Sequence, residues 1–374
     1  MESMDGKDLR AQVLDALSGV RHPEAGENIV KLGLVELEEC TPERVSVALS
    51  KRSPNDPFGK SLMRTMRTAL AVLVGENAVD VHMAESASQQ RPSVQGDRHG
   101  GVAGVHSIVA VGSGKGGVGK STITVNLAVA LARKGYSVGL LDADIFGPSM
   151  HIMLGVQGWQ PRMKSIDGED VIVPVEAHGV KMLSMGFFVS ADDALVWRGP
   201  MASNALKQLI HQGFWGELDY LLIDMPPGTS DIHLTLVQEL ALTGAVVVTT
   251  PQNIAVADAR KAVSMFRGDG VNVPVLGVVE NMSWFEPEEL PGHRYYLFGR
   301  DGGKQFAEAN GVELLGQIPL VQGIREGGDV GCPVAAESTV LGDAFDALAS
   351  RVVEAVALRN AQQPPTERVE VTKR

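Results

Sequence analysis

Cysteine is almost missing from this chain: Cys40 and Cys332 are the only thiols among 374 residues. Two cysteines exclude a disulfide-stapled scaffold, and the lack of any C-x-x-C or H-E-x-x-H excludes the common zinc motifs. A basic surplus is missing too, since 33 Lys and Arg face 45 Asp and Glu, a net charge of −12. Sequence-blind nucleic-acid binding needs clustered cations against the phosphates, so no nucleic-acid partner is expected. No apolar run approaches the ~18 residues that cross a bilayer, so no membrane partner is expected either. The opening Met-Glu-Ser-Met-Asp-Gly-Lys lacks the basic and then apolar region of a secretion signal. With so few cysteines, the expected location is cytoplasmic. No internal repeat is evident. What is present is a hydrophobic content of 44%, enough to build the cores of two domains.

The most informative stretch is 112–122, Gly-Ser-Gly-Lys-Gly-Gly-Val-Gly-Lys-Ser-Thr. It contains G-x-x-x-x-G-K-[ST] as Gly114, Gly119, Lys120 and Ser121, with a second lysine, Lys115, after the first glycine. Glycines let successive backbone N–H groups turn toward phosphate oxygens. That gives ATP-binding candidates Gly114, Lys115, Gly116, Gly117, Val118, Gly119, Lys120, Ser121 and Thr122. Lys120 would reach the β- and γ-phosphates and the Ser121 hydroxyl would ligate Mg²⁺. The flanks agree. His106–Gly112 is an apolar β-branched run that predicts a buried strand, and Ile123–Lys134 has helical spacing and ends near Gly135. The helix would aim its positive end at the phosphates.

Patterning divides the chain. Residues 1–84 read as a small α+β domain: a helix on Leu9, Val13, Leu14, Leu17 and Val20, a strand pair over Ile29–Leu37 and Val45–Leu49, and a helix over Arg64–Val74. Residues 85–104 are rich in Ser, Gln and Gly and read as a flexible linker. Residues 105–360 alternate apolar strands (Val138–Leu141, Leu221–Ile223, Ala245–Thr249, Val273–Val279) with helices (Met201–His211, Asp231–Leu242, Ile254–Phe266). Continuous apolar runs mark strands buried on both faces, so this region is an α/β domain with a mostly parallel, helix-flanked sheet. Residues 361–374 read as a disordered tail.

Ligands in such sheets sit beyond the carboxyl ends of the strands. Asp142 and Asp144 lie at one such end, in Leu140–Ser149, where they would hold metal waters or orient an attacking water, unless they are only solvated turn acids. Asp224 follows an apolar run from Tyr220 and is the second metal element, bound to Mg²⁺ directly or through water. Gly228, in Pro-Pro-Gly-Thr, has an N–H suited to the γ-phosphate. Asn281, at a further strand end, has an amide suited to an adenine edge, or is a turn residue. Met150, Met153, Met182, Met185 and Met201 read as core packing rather than a partner surface, and Trp197-Arg198-Gly199-Pro200 as a candidate positioning loop.

The doubled-lysine loop Lys115–Ser121 resembles the deviant phosphate loop of the MinD/ParA class. Asp142–Ser149, Val196–Met201, Asp219–Thr229, Val248–Gln252 and Glu280–Ser283 narrow the resemblance to the Mrp/ApbC family of iron–sulfur cluster carrier ATPases, over about 106–358. The N-terminal segment resembles the small domain shared with iron–sulfur assembly factors. The resemblance implies a P-loop NTPase fold and a homodimer sandwiching ATP, with apoproteins or assembly factors as partners. Lys115 would reach the other subunit's phosphates, Asp144 would position water, and Asp142 and Asp224 would serve Mg²⁺ with Ser121. Lys115, Lys120 and Asp144 are then the catalytic set. Asn281 would face adenine, and the loop after Ile318-Pro319 would complete its pocket.

The family usually carries C-x-x-C after Asn-Met-Ser, so that two subunits bridge a cluster with four thiolates. Here 284–298 has no cysteine, nor does Ser53–Pro57, where the small domain often has one. A 4Fe–4S cluster is thus implied by resemblance alone, and its ligands are unknown. Three readings follow. The first is an Mg-dependent ATPase that carries or helps assemble iron–sulfur clusters. The second is an ATP-switched scaffold that holds no cluster. The third is a MinD- or ParA-like positioning ATPase, disfavoured because the helix predicted over Val340–Leu358 carries Asp343, Asp346 and Glu354 against Arg351.

Overall fold

The computed structural model describes residues 6–21, 28–32, 34–41, 44–49, 59–75, 78–83, 102–145, 147–166, 168–188, 199–228, 231–268, 270–287, 289–290, 292–366 and 368. The chain divides into two units, Met1–Gln95 and Gly96–Arg374.

In the first unit, β1 (Val35–Thr41) pairs antiparallel with β2 (Arg44–Leu49), and β2 pairs parallel with β3 (Val79–Met83). Helices α1 (Gly6–Ser18) and α2 (Gly59–Val74) supply Leu9, Val13, Leu17, Leu62, Met66 and Leu70 to a core shared with Val45, Val47 and Leu49. These helix positions recur at three and four residues, the stripe that one helix face buries. The strand expected over Ile29–Leu37 begins only at Val35. Asn28 is the reason. Its side-chain oxygen accepts from Lys31 N at 2.7 Å, a local turn that takes the chain out of an extended course.

The second unit holds an eight-stranded sheet. Its strands are β4 (Val105–Ser113), β5 (Val138–Asp142), β8 (Val175–Ala177), β9 (Val180–Ser184), β10 (Leu218–Asp224), β11 (Gly244–Thr249), β12 (Val275–Phe285) and β13 (Leu314–Leu320). The order is β13-β12-β11-β4-β10-β5-β9-β8, and every pairing is parallel except β8 with β9. A separate hairpin joins β6 (Arg162–Ile166) to β7 (Glu169–Val173).

Both faces are covered, as continuous apolar strands require. Successive residues alternate between two cores: Ile108 and Ala110 of β4 face one, Val109 and Val111 the other. The first core is closed by α5 (Gly199–Gln212), α6 (Asp231–Glu239), α7 (Asn253–Arg267) and α8 (Gly302–Asn310). The second is closed by α3 (Lys120–Arg133) and α10 (Val340–Gln362). The short α4 (Met150–Met153) packs against α9 (Gln322–Val330). Met150, Met182 and Met185 are fully buried, as core packing requires, whereas Met201 is 53% exposed.

Two boundaries move. Within the stretch read as linker, Gly104 O accepts from Leu218 N and Val102 packs on the first core; the rest, 85–101, lies outside the described residues. At the other end, α10 runs into the stretch read as a disordered tail. Arg359, just before that stretch, donates into it, to Pro364 O at 2.8 Å and Thr366 Oγ1 at 2.6 Å. Residues 367 and 369–374 lie outside the described residues, as do Trp197 and Arg198 of the candidate positioning loop. Among the described residues, no helix is long and apolar enough to cross a membrane.

Candidate nucleotide site

Parallel pairing brings the carboxyl ends of β4, β10 and β5 to one edge. Asp224 stands opposite Val111 on one side and Asp142 on the other. The loop 114–119 leaves β4 at this edge and enters α3 at Lys120. Gly119 is left-handed (φ +80°), and a Cβ there would lie 2.2 Å from Asn281 Nδ2. At Gly114 a Cβ would lie 2.0 Å from the backbone carbon of Asp258 in α7. Both glycines are therefore demanded by close approach, and Gly119 by its left-handed backbone as well.

Asp224 organises the site. It is fully buried and accepts Lys120 Nζ at 2.5 Å and Ser121 Oγ at 2.6 Å on one oxygen, and Thr124 Oγ1 at 2.9 Å on the other. Lys120 is itself only 6% exposed. Charge-assisted bonds of this kind are the strong ones, and a buried carboxylate needs them.

Asp142, also fully buried, accepts Ser184 Oγ at 2.8 Å, Asp144 N at 3.2 Å and Met150 N at 3.4 Å. Burial, and then the neighbouring Asp224 charge, push its carboxyl up to about 7; Ser184 and Lys120 pull the other way. Two carboxylates with one lysine leave a site short of positive charge. Its donors are carboxylate and hydroxyl oxygens, the hard set that suits Mg²⁺.

The other sequence candidates fall around this centre. Lys115 is half-buried, its carbonyl accepting from Ser113 Oγ at 3.0 Å. Gly116 and Gly117 are exposed, Val118 is buried and Thr122 is half-buried. Asn281 Nδ2 donates to Val118 O at 2.9 Å, so the amide sits on the phosphate loop itself. Gly228 lies in the turn that follows β10 at the same edge. Its N–H, assigned from sequence to a γ-phosphate, donates to Ser113 O at 3.0 Å, because the turn after β10 folds back on the end of β4. Thr229 lies outside the described residues.

Thr124 and Ser184 escaped the sequence reading. Thr124 stands one helical turn beyond Lys120, a spacing that points both at one place and was a usable signal. Ser184 has no such signal, since only the β5–β9 pairing sets it beside Asp142.

The two cysteines lie in different units: Cys40 in β1, and Cys332, exposed, just after α9. Among the described residues no group of three or more His, Cys, Asp or Glu side chains could hold a metal ion. At the end of β12, after Asn-Met-Ser, Phe285 and Tyr295 pair through both backbone bonds at 2.8 and 2.9 Å. Arg294 stacks 4.1 Å over Trp284, and Glu286 accepts from Gly292 N at 2.8 Å.

Two family models match the chain: NUBPL iron-transfer P-loop NTPase over residues 104–353, and iron–sulfur cluster assembly protein over 10–83. An iron–sulfur cluster carrier protein of Synechocystis is 42% identical over 348 residues, covering 92% of this chain and 97% of its own length. That of Escherichia coli K12 is 43% identical over 326 residues, covering 87% and 86%. Among solved structures, a nucleotide-binding protein of Archaeoglobus fulgidus in complex with ADP is 37% identical. It matches with a TM-score of 0.52 over 61% of this chain and 87% of that one.

Proposed function

The chain belongs to the iron-transfer P-loop NTPase family of the iron–sulfur cluster carrier proteins, and from that membership we propose that it is an Mg²⁺-dependent ATPase that handles iron–sulfur clusters for delivery to apoproteins. The observation that carries the ATPase part is the triple hold of Lys120, Ser121 and Thr124 on buried Asp224. It sets a phosphate cation and a metal-binding hydroxyl against the strand-end acid that phosphoryl transfer requires.

Each side chain then has a task. Ser121, Asp142 and Asp224 would hold Mg²⁺, which supplies charge neutralisation between the phosphates. The N–H groups of 114–122 cradle the phosphates at the positive end of α3. Asp144, two residues beyond Asp142, orients the attacking water. Lys115, unused by any ion pair among the described residues, reaches the γ-phosphate held by a second copy, so the active form is a homodimer. A cation delivered in trans stabilises developing charge as an arginine finger does. Asn281 donates one amide N–H to Val118 O, which sets that end of the amide against the loop and keeps Oδ1 as an acceptor. An acceptor suits the amino edge of adenine and opposes the carbonyl of guanine. Gly228 changes its partner from Ser113 O to the γ-phosphate when nucleotide binds, and so senses its presence. The N-terminal unit serves cluster assembly, and the protein works in the cytoplasm.

The cargo is the cluster. Iron and sulfide content of anaerobically purified protein tests this: both above background support carriage, and neither above background, even with ATP, ends it. The thiol-free 284–298 favours a second reading, an ATP-switched scaffold that holds no cluster. Capture of an apoprotein that depends on ATP and is lost with Lys120→Ala supports it; equal capture without nucleotide counts against it.

A further inference from the structure

Glu280 is a buried acid for which the nucleotide chemistry has no use. It is fully buried near the end of β12 and makes no ion pair among the described residues. An unpaired carboxylate in a core is costly, so its position must be held by hydrogen bonds. Its Oε2 accepts from Gly303 N at 2.5 Å, in the first turn of α8, where the helix presents free N–H groups and positive charge. Its Oε1 accepts from Gln317 Nε2 at 2.8 Å, and that amide also donates to Asp301 Oδ1 at 3.1 Å.

Glu280 and Asn281 are consecutive strand residues, so they point to opposite faces of the sheet. The flanking residues agree: Val278 lies in the core under α7 and α8, Val279 in the core under α3 and α10. Glu280 thus grips α8 on one face while Asn281 grips Val118 O, beside the start of α3, on the other. Beyond Asn281 the strand loses regularity. Met282 is left-handed (φ +54°), and the register with β13 shifts between Asn281 and Phe285. Regular pairing ends at Asn281, opposite Ile318, so beyond it no regular pairing steadies the strand, and Glu280 supplies a side-chain anchor immediately before it.

We propose that Glu280 is a positioning residue for adenine recognition, fixing the end of β12 so that the Asn281 amide meets the phosphate loop, and through Gln317 and Asp301 tying the far end of the 286–301 segment to the same point. The inference rests on the adenine-nucleotide reading above.

The test measures affinity for fluorescent ADP and GDP analogues in the full-length protein. In Glu280→Gln, an N–H₂ group faces the Gln317 N–H₂, and relief by rotating Gln317 sacrifices the bond to Asp301. ADP binding should weaken about tenfold, the scale of one buried hydrogen bond, and GDP binding less, so the preference for adenine falls. In Glu280→Gln with Asp301→Asn, a rotated Gln317 accepts from both new amides, and the network closes with its polarity reversed. ADP affinity should return to within about threefold of wild type. Gln317→Met, which removes the bridging amide but leaves the Gly303 bond, should lower ADP affinity in the same direction and keeps the test open if Glu280→Gln fails to fold. An ADP affinity within twofold of wild type in both single variants overturns the proposal. So does equal loss for ADP and GDP with no recovery in the double variant, which is what a general packing defect would produce. Wild-type protein that binds GDP as well as ADP removes the adenine reading itself.

Discussion

Lys120 and Lys115 sit five residues apart in one loop and carry different burdens. Lys120 is buried against Asp224, so Lys120→Ala removes the proposed phosphate cation and leaves the buried carboxylate without its counter-charge, held only by Ser121 and Thr124. Nucleotide affinity should fall about 10- to 100-fold, the worth of one or two charged hydrogen bonds, as read by titration with a fluorescent ATP analogue. Lys115→Ala should leave that affinity within a few fold and cut steady-state turnover about a thousandfold, as loss of a trans cation does in related chemistry. Wild-type turnover in that variant would sink the trans-lysine reading. Asp142 gives a pH signature. Its carboxyl titrates near 7 when folded against an ordinary 3.8, so the folded nucleotide-free protein binds a proton over that window that the unfolded chain does not. Stability from this group is present at the acid end and is lost as pH rises from about 4 through 7. Asp142→Asn removes the titration. The wild-type Tm minus the variant Tm should therefore become more negative from about pH 5 to pH 8; parallel curves would show that the carboxyl does not titrate there.

At the scale of elements, the phosphate loop is clamped by its neighbours. Gly114 abuts the backbone of α7, and Gly119 abuts Asn281 of β12. Gly114→Ala forces a methyl into Asp258 of α7, so that helix or the loop must shift. The expected cost is about 1–3 kcal/mol, the range for overpacking, seen as a lower urea midpoint at unchanged m. An unchanged midpoint would mean that α7 is loosely seated. On its other side, α3 is tied by Arg133 to Ala335 O and Glu337 O at 2.8 and 2.9 Å, and by Asn126 Oδ1 to Ala335 N at 3.0 Å. The loop is therefore pre-set by packing against α7 and β12, and the helix it enters is itself tied down, which lowers the ordering cost of binding a nucleotide.

For the whole molecule, every residue of the candidate nucleotide site belongs to the unit Gly96–Arg374. Protein beginning at residue 96 should bind ATP within about twofold of the full chain by calorimetry, a difference below ~0.4 kcal/mol. A larger loss would give the N-terminal unit a part in the nucleotide site. Much of the α/β architecture was legible in the residues themselves. Continuous Val, Ile and Leu runs mark strands buried on both faces, and a glycine loop between such a strand and a helix has one familiar chemistry. The edges of elements were less legible. Asn28 turns the chain before β1, and α10 outruns its expected end, because single side-chain bonds decide such boundaries. The pairing of β6 with β7 has little sequence signal either, since Arg162–Ser165 is exposed and carries little apolar pattern. Sequence by itself determined the phosphate loop, its two lysines and the strand-end acids, since local spacing and residue chemistry suffice there. Only the tertiary structure decided that Ser184 bonds Asp142, that Gly228 N–H is held by Ser113, and that Glu280 accepts from the first turn of α8. Those contacts join residues distant in the chain, and their partners are chosen by strand order and register, which no local pattern encodes.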